Sequence, residues 1–132
     1  MDISKRRIDA KKSVDGVWFD LDTETRLLIG RVASPAYKRL LREKMLPFVD
    51  DIRNNSFSQD EQDRITAEVF SELVLLKWEG LKENGVDIPY SKERALELLS
   101  DPALEWFREQ VEDFGTRMDN FYEEAEDNLK KS

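Results

Sequence analysis

Apolar positions divide this chain into two kinds of segment. Near the N-terminus the period is two. Val17, Phe19 and Leu21 alternate with Trp18 and Asp20, the polar run Asp22-Thr23-Glu24-Thr25 follows, and Leu27 and Ile29 resume the alternation. That pattern predicts a strand, a turn and a strand. Everywhere after it the period lengthens to that of a helix. Ser34-Pro35 pairs an N-cap hydroxyl with proline at the first helical position. Behind it Tyr37, Leu41, Met45, Phe48 and Ile52 share one face, with Leu40 and Val49 beside them. Pro47 lies inside this stripe, removes a backbone donor and predicts a kink or break. Asn54-Asn55-Ser56 ends the segment.

Ser58-Gln59-Asp60-Glu61 reads as a capping box. The stripe after it, Ile65, Val69, Leu73 and Leu76 widened by Phe70 and Val74, predicts the central and most buried helix. Leu73 to Leu76 are apolar on every side, Trp78 follows, and Gly80 suits a left-handed cap that would close the helix. Asn84-Gly85 is a strong turn dipeptide, and Ile88-Pro89-Tyr90 leads to Ser91, an N-cap for a short helix through Leu96, Leu98 and Leu99. Asp101-Pro102 opens the last helix. Its apolar positions, Leu104, Phe107, Val111, Phe114, Met118, Phe121 and Ala125, recur at spacings of 3 and 4, a heptad seam with Tyr122 adjoining it. The expectation is a mainly α, single-domain fold of four to five helices with a short N-terminal β-hairpin. Residues 1–13 are expected to be a flexible basic arm or a short frayed helix, residues 14–127 the domain, and residues 128–132 a frayed end.

Charge adds to this picture. Charged side chains make up 38% of the chain, against about 25% in an ordinary domain. The net charge is −8, which disfavours general attraction to nucleic acid or anionic membrane. Residues 1–12 are the exception, with Lys5, Arg6, Arg7, Lys11 and Lys12 against Asp2 and Asp9. A solvated terminus accounts for them better than a nucleic-acid contact. Residues 101–132 carry ten acids and four bases. No apolar run approaches the ~20 residues of a membrane span, and the charged N-terminus has no apolar core of a signal peptide. A soluble protein inside the cell is expected.

Candidate chemistry is sparse. Cysteine and histidine are absent, which removes thiolate chemistry, the usual base near neutral pH and the commonest metal ligand. The five glycines form no phosphate-binding loop. Carboxylates at Glu112, Asp113, Asp119, Glu123, Glu124, Glu126 and Asp127 line the polar side of the last helix, where a solvated face is the plain reading and paired catalytic carboxylates would need a pocket. No calcium-loop pattern is present. These residues point to a protein that is not an enzyme and uses no cofactor or metal. The heptad seam is either a core stripe or a partner-binding face. The division adopted is core for Leu104, Phe107 and Val111. Phe114, Met118, Phe121 and Tyr122 are then partly exposed or shared with a partner, since Met and aromatic residues suit an adaptable groove.

The order of pieces from Leu73 onward, LVLLKWEGLKENGVDIPYSKERALELLSDPALEWFREQVEDF, resembles the tail assembly chaperones of long-tailed, siphovirus-type bacteriophages. The shared elements are Trp78-Glu79-Gly80, the turn at Gly85, Pro89-Tyr90-Ser91, a short helix and a longer one. Upstream, the Gly16-Val17-Trp18 hairpin, Arg26, Arg31 and Tyr37 also look similar, so the resemblance spans roughly residues 15 to 122. It implies a non-enzymatic role in the cytoplasm of the bacterial host. There such a protein binds the tape measure protein and tail tube subunits during tail morphogenesis and is absent from the finished virion. It also implies a longer form made by programmed frameshifting, for which Lys130-Lys131, encodable by A-rich codons, is a candidate position. Self-association is compatible with an exposed seam. Two other classes stay open: an acidic mimic of DNA that inhibits a host DNA-binding protein, and a structural subunit of the tail or head–tail connector.

Overall fold

The computed structural model of the chain describes residues 1–124. Its starting unit is the hairpin foreseen from the period of two. Val17–Asp20 (β1) pairs antiparallel with Arg26–Ile29 (β2), placing Phe19 opposite Leu27 and Val17 opposite Ile29. Phe19, Leu27 and Ile29 face inward and are fully or almost fully buried. The connecting turn is fastened by the Asp22 carboxylate, which accepts hydrogen bonds from the backbone amides of Glu24 (2.9 Å) and Thr25 (2.7 Å).

A third strand, Leu75–Glu79 (β3), adds to β2 antiparallel, so the sheet order is β1-β2-β3. This corrects the expectation of a helix running to Gly80. A short run that is apolar on all sides is as compatible with a buried strand as with a buried helix. What decides it is tertiary. The helix Gln59–Leu73 (α4) ends at Leu73, Val74 caps it, and the Val74 carbonyl accepts the amide of Gly30 at 2.8 Å. A side chain at position 30 would place its Cβ 2.2 Å from the Leu73 carbonyl oxygen. The close approach that turns the chain from α4 into the sheet therefore needs glycine at that point.

The remaining helices begin where their caps predict. Pro35–Met45 (α2) starts from Ser34, whose Oγ accepts from Tyr37 N at 3.1 Å. Pro47 falls in a 3-10 turn, Leu46–Phe48, that separates α2 from the short helix Val49–Arg53 (α3). Ser58 Oγ accepts from Glu61 N at 3.2 Å at the head of α4. Glu61 gives its carboxylate to Arg64 at 2.6 Å, so the serine half of the capping box forms while the glutamate turns to Arg64. Lys92–Ser100 (α5) starts from Ser91, which accepts from Arg94 N at 3.0 Å. Asp101 caps a 3-10 turn, Pro102–Leu104, that runs into Glu105–Gly115 (α6).

The core lies between the inner face of the sheet and α4, α5 and α6. Phe70, Val74, Leu75, Leu99, Val111 and Phe19 are among its largest buried side chains, each contributing about 1.5–3 kcal/mol on removal from water. Phe19 stacks on Phe114 with ring centroids 4.6 Å apart.

Two further expectations change. The last helix does not run through the whole heptad seam. It ends at Gly115, whose carbonyl accepts Val32 N at 2.9 Å, while a Cβ there would meet Val32 Cγ2 at 2.6 Å. The chain then turns and re-enters the core as a 3-10 helix, Met118–Phe121. The basic N-terminal segment is also pinned to the body. Ala10–Asp15 forms a capped helix (α1), Ile8 bridges Tyr122, Asp9 N donates to the Phe121 carbonyl at 2.8 Å, and Glu123 N donates to the Arg7 carbonyl at 2.9 Å. The heptad position Ala125, the acids Glu126 and Asp127, the frayed end expected at 128–132 and Lys130-Lys131 lie outside the described residues.

Candidate partner-binding surface

Phe114, Met118, Phe121 and Tyr122 do not form one open face. Phe114 is 5% exposed and Phe121 is fully buried, both against Phe19. Tyr122 is half-buried, and its backbone bridges Ile8. Of the four, only Met118 is exposed. The break at Gly115 is the reason: once the helix stops, the seam folds inward instead of projecting along one side.

The segment around Trp78, Gly80, Gly85, Pro89 and Tyr90 is a rigid unit. Trp78 is buried in β3 opposite Leu27, and its indole Nε1 donates to the Ile88 carbonyl at 2.7 Å. The Tyr90 hydroxyl donates to the Leu75 carbonyl at 2.8 Å. The two rings meet edge to face, centroids 4.8 Å apart, a favoured aromatic geometry. Burial pushes the Tyr90 phenol above its ordinary value, and Glu72 and Glu93 add to the shift. Asn84-Gly85, both with positive φ, join Lys82–Glu83 (β4) to Val86–Asp87 (β5) in a tight hairpin. Pro89 lies between Ile88 and Tyr90 and is exposed. The Trp78–Ile88 and Tyr90–Leu75 bonds thus clamp the hairpin to the sheet, and Ile88 N closes its base on the Leu81 carbonyl at 2.8 Å.

That clamped hairpin forms one wall of an apolar groove. Leu81, Ile88, Leu98, Leu104, Trp106 and Phe107 enclose about 220 Å³. The Trp106 ring stands nearly perpendicular to Phe107 and is 55% exposed. Lys82 and Glu83 also line the groove. Glu83 pairs with Arg94 at 3.1 Å, and Arg94 also holds Glu97 at 2.7 Å. A large aromatic ring beside an apolar cleft, ringed by charge, is the arrangement that receives a partner's apolar side chain. Trp106 lies outside the heptad seam, between Leu104 and Phe107. Its signal was present all the same, because a tryptophan one step off the seam belongs to the side of the helix that the core does not need.

A second apolar stripe, Leu46, Val49 and Ile52, is exposed along the 3-10 turn and α3. Elsewhere Asp60, Asp63, Asp101 and Glu105 share a cleft with Arg64 and Arg108, in which Arg108 lies 3.7 Å from Asp63. Among the described residues no group of three or more acidic side chains is arranged to hold a metal ion. None of the described helices is long and apolar enough to cross a membrane.

A family model described as YdaY prophage protein matches residues 32–131, a span that takes in α2 through α6 and the whole clamped hairpin. No curated protein and no solved structure matches the chain.

Proposed function

The chain belongs to the YdaY prophage protein family, and from that premise we propose that it is a tail assembly chaperone, a non-enzymatic holder of the tape measure protein during tail morphogenesis. The observation that carries the reading is the half-exposed Trp106 on an apolar groove, one wall of which is the Trp78–Tyr90 segment that resembles such chaperones. A tape measure protein is long, helical and apolar on one face. Docking such a face over Trp106 removes apolar surface from water on both partners, and a central aromatic anchor of this kind is worth about 2–4 kcal/mol. The net charge of −8 keeps the loaded complex dispersed in the host cytoplasm. Tail tube subunits are the second partner in this scheme, recruited as the client is handed over, and the chaperone leaves before the virion is complete. The Lys130-Lys131 codons are where a frameshifted longer form would branch; an absent slippery sequence in the gene would remove that part of the scheme.

Ion pairing weighs against a DNA mimic. Many acids that would have to imitate phosphates are instead tied to cations, Glu61 and Glu68 to Arg64, Glu83 and Glu97 to Arg94, and Asp113 to Arg117.

The test is co-expression with the tape measure protein of the same prophage. The wild-type chain keeps that protein soluble and co-purifies with it, and Trp106→Ser weakens the complex by about thirtyfold or more, the loss of a contact of at least ~2 kcal/mol. Recovery of the chain in purified particles, or failure of the wild type to hold the tape measure protein, would overturn the reading in favour of a structural tail subunit or another role.

A further inference from the structure

Two cationic side chains of this acidic protein line a cavity away from the Trp106 groove. Eight cationic side chains between Arg26 and Arg117 sit in ion pairs with carboxylates. Lys38, Arg42, Lys77 and Lys82 do not, among the described residues, and neither do Arg31 and Arg39. Both line a cavity of about 400 Å³ between α1 and the start of α2, whose apolar walls include Ile8, Val14, Pro35 and Ala36. Arg31 is fixed there. Its backbone amide donates to the Ser13 carbonyl at 2.9 Å, and its Nε donates to Ser13 Oγ at 3.2 Å. Ser13 is itself buried, its hydroxyl donating to the Asp9 carbonyl at 3.1 Å. One edge of the guanidinium is thereby spent on holding the side chain still. The two terminal nitrogens have no protein acceptor among the described residues. A guanidinium immobilised through Nε keeps the planar pair of donors that matches a carboxylate, and it has lost its rotamer freedom before any ligand arrives.

We propose that this cavity binds an acidic segment of a partner protein, a carboxylate engaging Arg31 and Arg39 while a neighbouring aliphatic side chain rests on Val14 and Pro35. Charge complementarity selects the anion. The apolar walls select a peptide over a nucleic-acid backbone, since a sugar–phosphate chain carries no branched hydrocarbon side chain beside its anion, and the net charge of −8 repels a long polyanion as it approaches. The site is separate from the Trp106 groove and does not rest on the tail reading.

The probe is a short fluorescein-labelled peptide of alternating glutamate and leucine, followed by anisotropy, beside the same peptide with glutamine for glutamate and a single-stranded DNA oligonucleotide. Wild type binds the acidic peptide and neither control. Arg39→Gln and Arg31→Gln each weaken binding about tenfold, and Arg31→Lys weakens it too, because an ammonium lacks the planar fork. Trp106→Ser leaves it unchanged, which separates failure of this site from failure of the tail reading. Arg39 is exposed, so its variant stays informative if the loss of the Arg31–Ser13 contact disturbs α1. Unchanged binding in the arginine variants overturns the proposal. So does equal binding of the glutamine peptide or tighter binding of DNA. A wild-type oligomer that dissociates in Arg39→Gln also overturns it, since the occupant is then a second copy of this chain.

Discussion

Gly80 adopts φ +76°, and a Cβ there would lie 2.0 Å from the Glu24 carbonyl oxygen. Thr25 Oγ1 donates to the Gly80 carbonyl at 3.1 Å, so the turn of the first hairpin and the end of β3 are locked together at this residue. Gly80→Ala combines a left-handed backbone with a backbone clash. It is expected to cost about 3 kcal/mol, read as a lower urea midpoint with an unchanged slope. Tyr90 gives a milder and more informative test. Its hydroxyl bond to Leu75 is worth about 1 kcal/mol, the loss expected for Tyr90→Phe at neutral pH. The phenols of Tyr37 and Tyr90 are both raised above 10.0, chiefly by burial. The unfolded chain therefore loses these protons first as pH rises. Stability from this source is intact below pH 10.0 and falls as the pH climbs through the higher folded values. Thermal melts across that range should show the decline, and it should be shallower in Tyr90→Phe, which keeps only one of the two phenols. A melting temperature flat to the alkaline limit contradicts the assignment.

Elements differ in how far they could be read before the fold was known. The β1–β2 hairpin, the caps at Ser34, Ser58 and Ser91 and the turn at Asn84-Gly85 are local devices, settled within a few residues, and they stand where the pattern puts them. The strand Leu75–Glu79 and the end of α6 are not local. The first depends on Gly30 admitting the Leu73 carbonyl, some forty residues away along the chain. The second depends on Val32 meeting Gly115. A heptad pattern continues through a glycine unless something outside the helix takes the glycine's carbonyl, and here Val32 N does. The docking of residues 7–9 on 121–123 is likewise invisible to any window along the sequence. These differences fix a prediction. Phe114→Ser and Phe121→Ser each remove a buried ring and should cost about 3–5 kcal/mol. Met118→Ser, at an exposed position, should stay within about 0.5 kcal/mol. Urea titration of the three variants decides it, and equal effects at all three positions would restore the uninterrupted seam.

For the whole molecule, the sequence conveys the fold class, while the candidate surface around Trp106 emerges only from assembly. Trp106 looks like one aromatic among many until the hairpin clamped by Trp78 and Tyr90 comes to stand beside it. The charge distribution is also a property of the assembled fold. Among the described residues the ion-paired carboxylates run from Asp50 to Asp113, while Arg31 and Arg39 line the cavity between α1 and α2. Hydrogen–deuterium exchange of the chain with and without a soluble tape measure fragment tests the central claim most directly. The proposed docking predicts slower exchange confined to residues 81–88 and 104–107, and its disappearance in Trp106→Ser. Protection that falls instead on residues 46–57, with residues 81–88 and 104–107 unchanged, would contradict it.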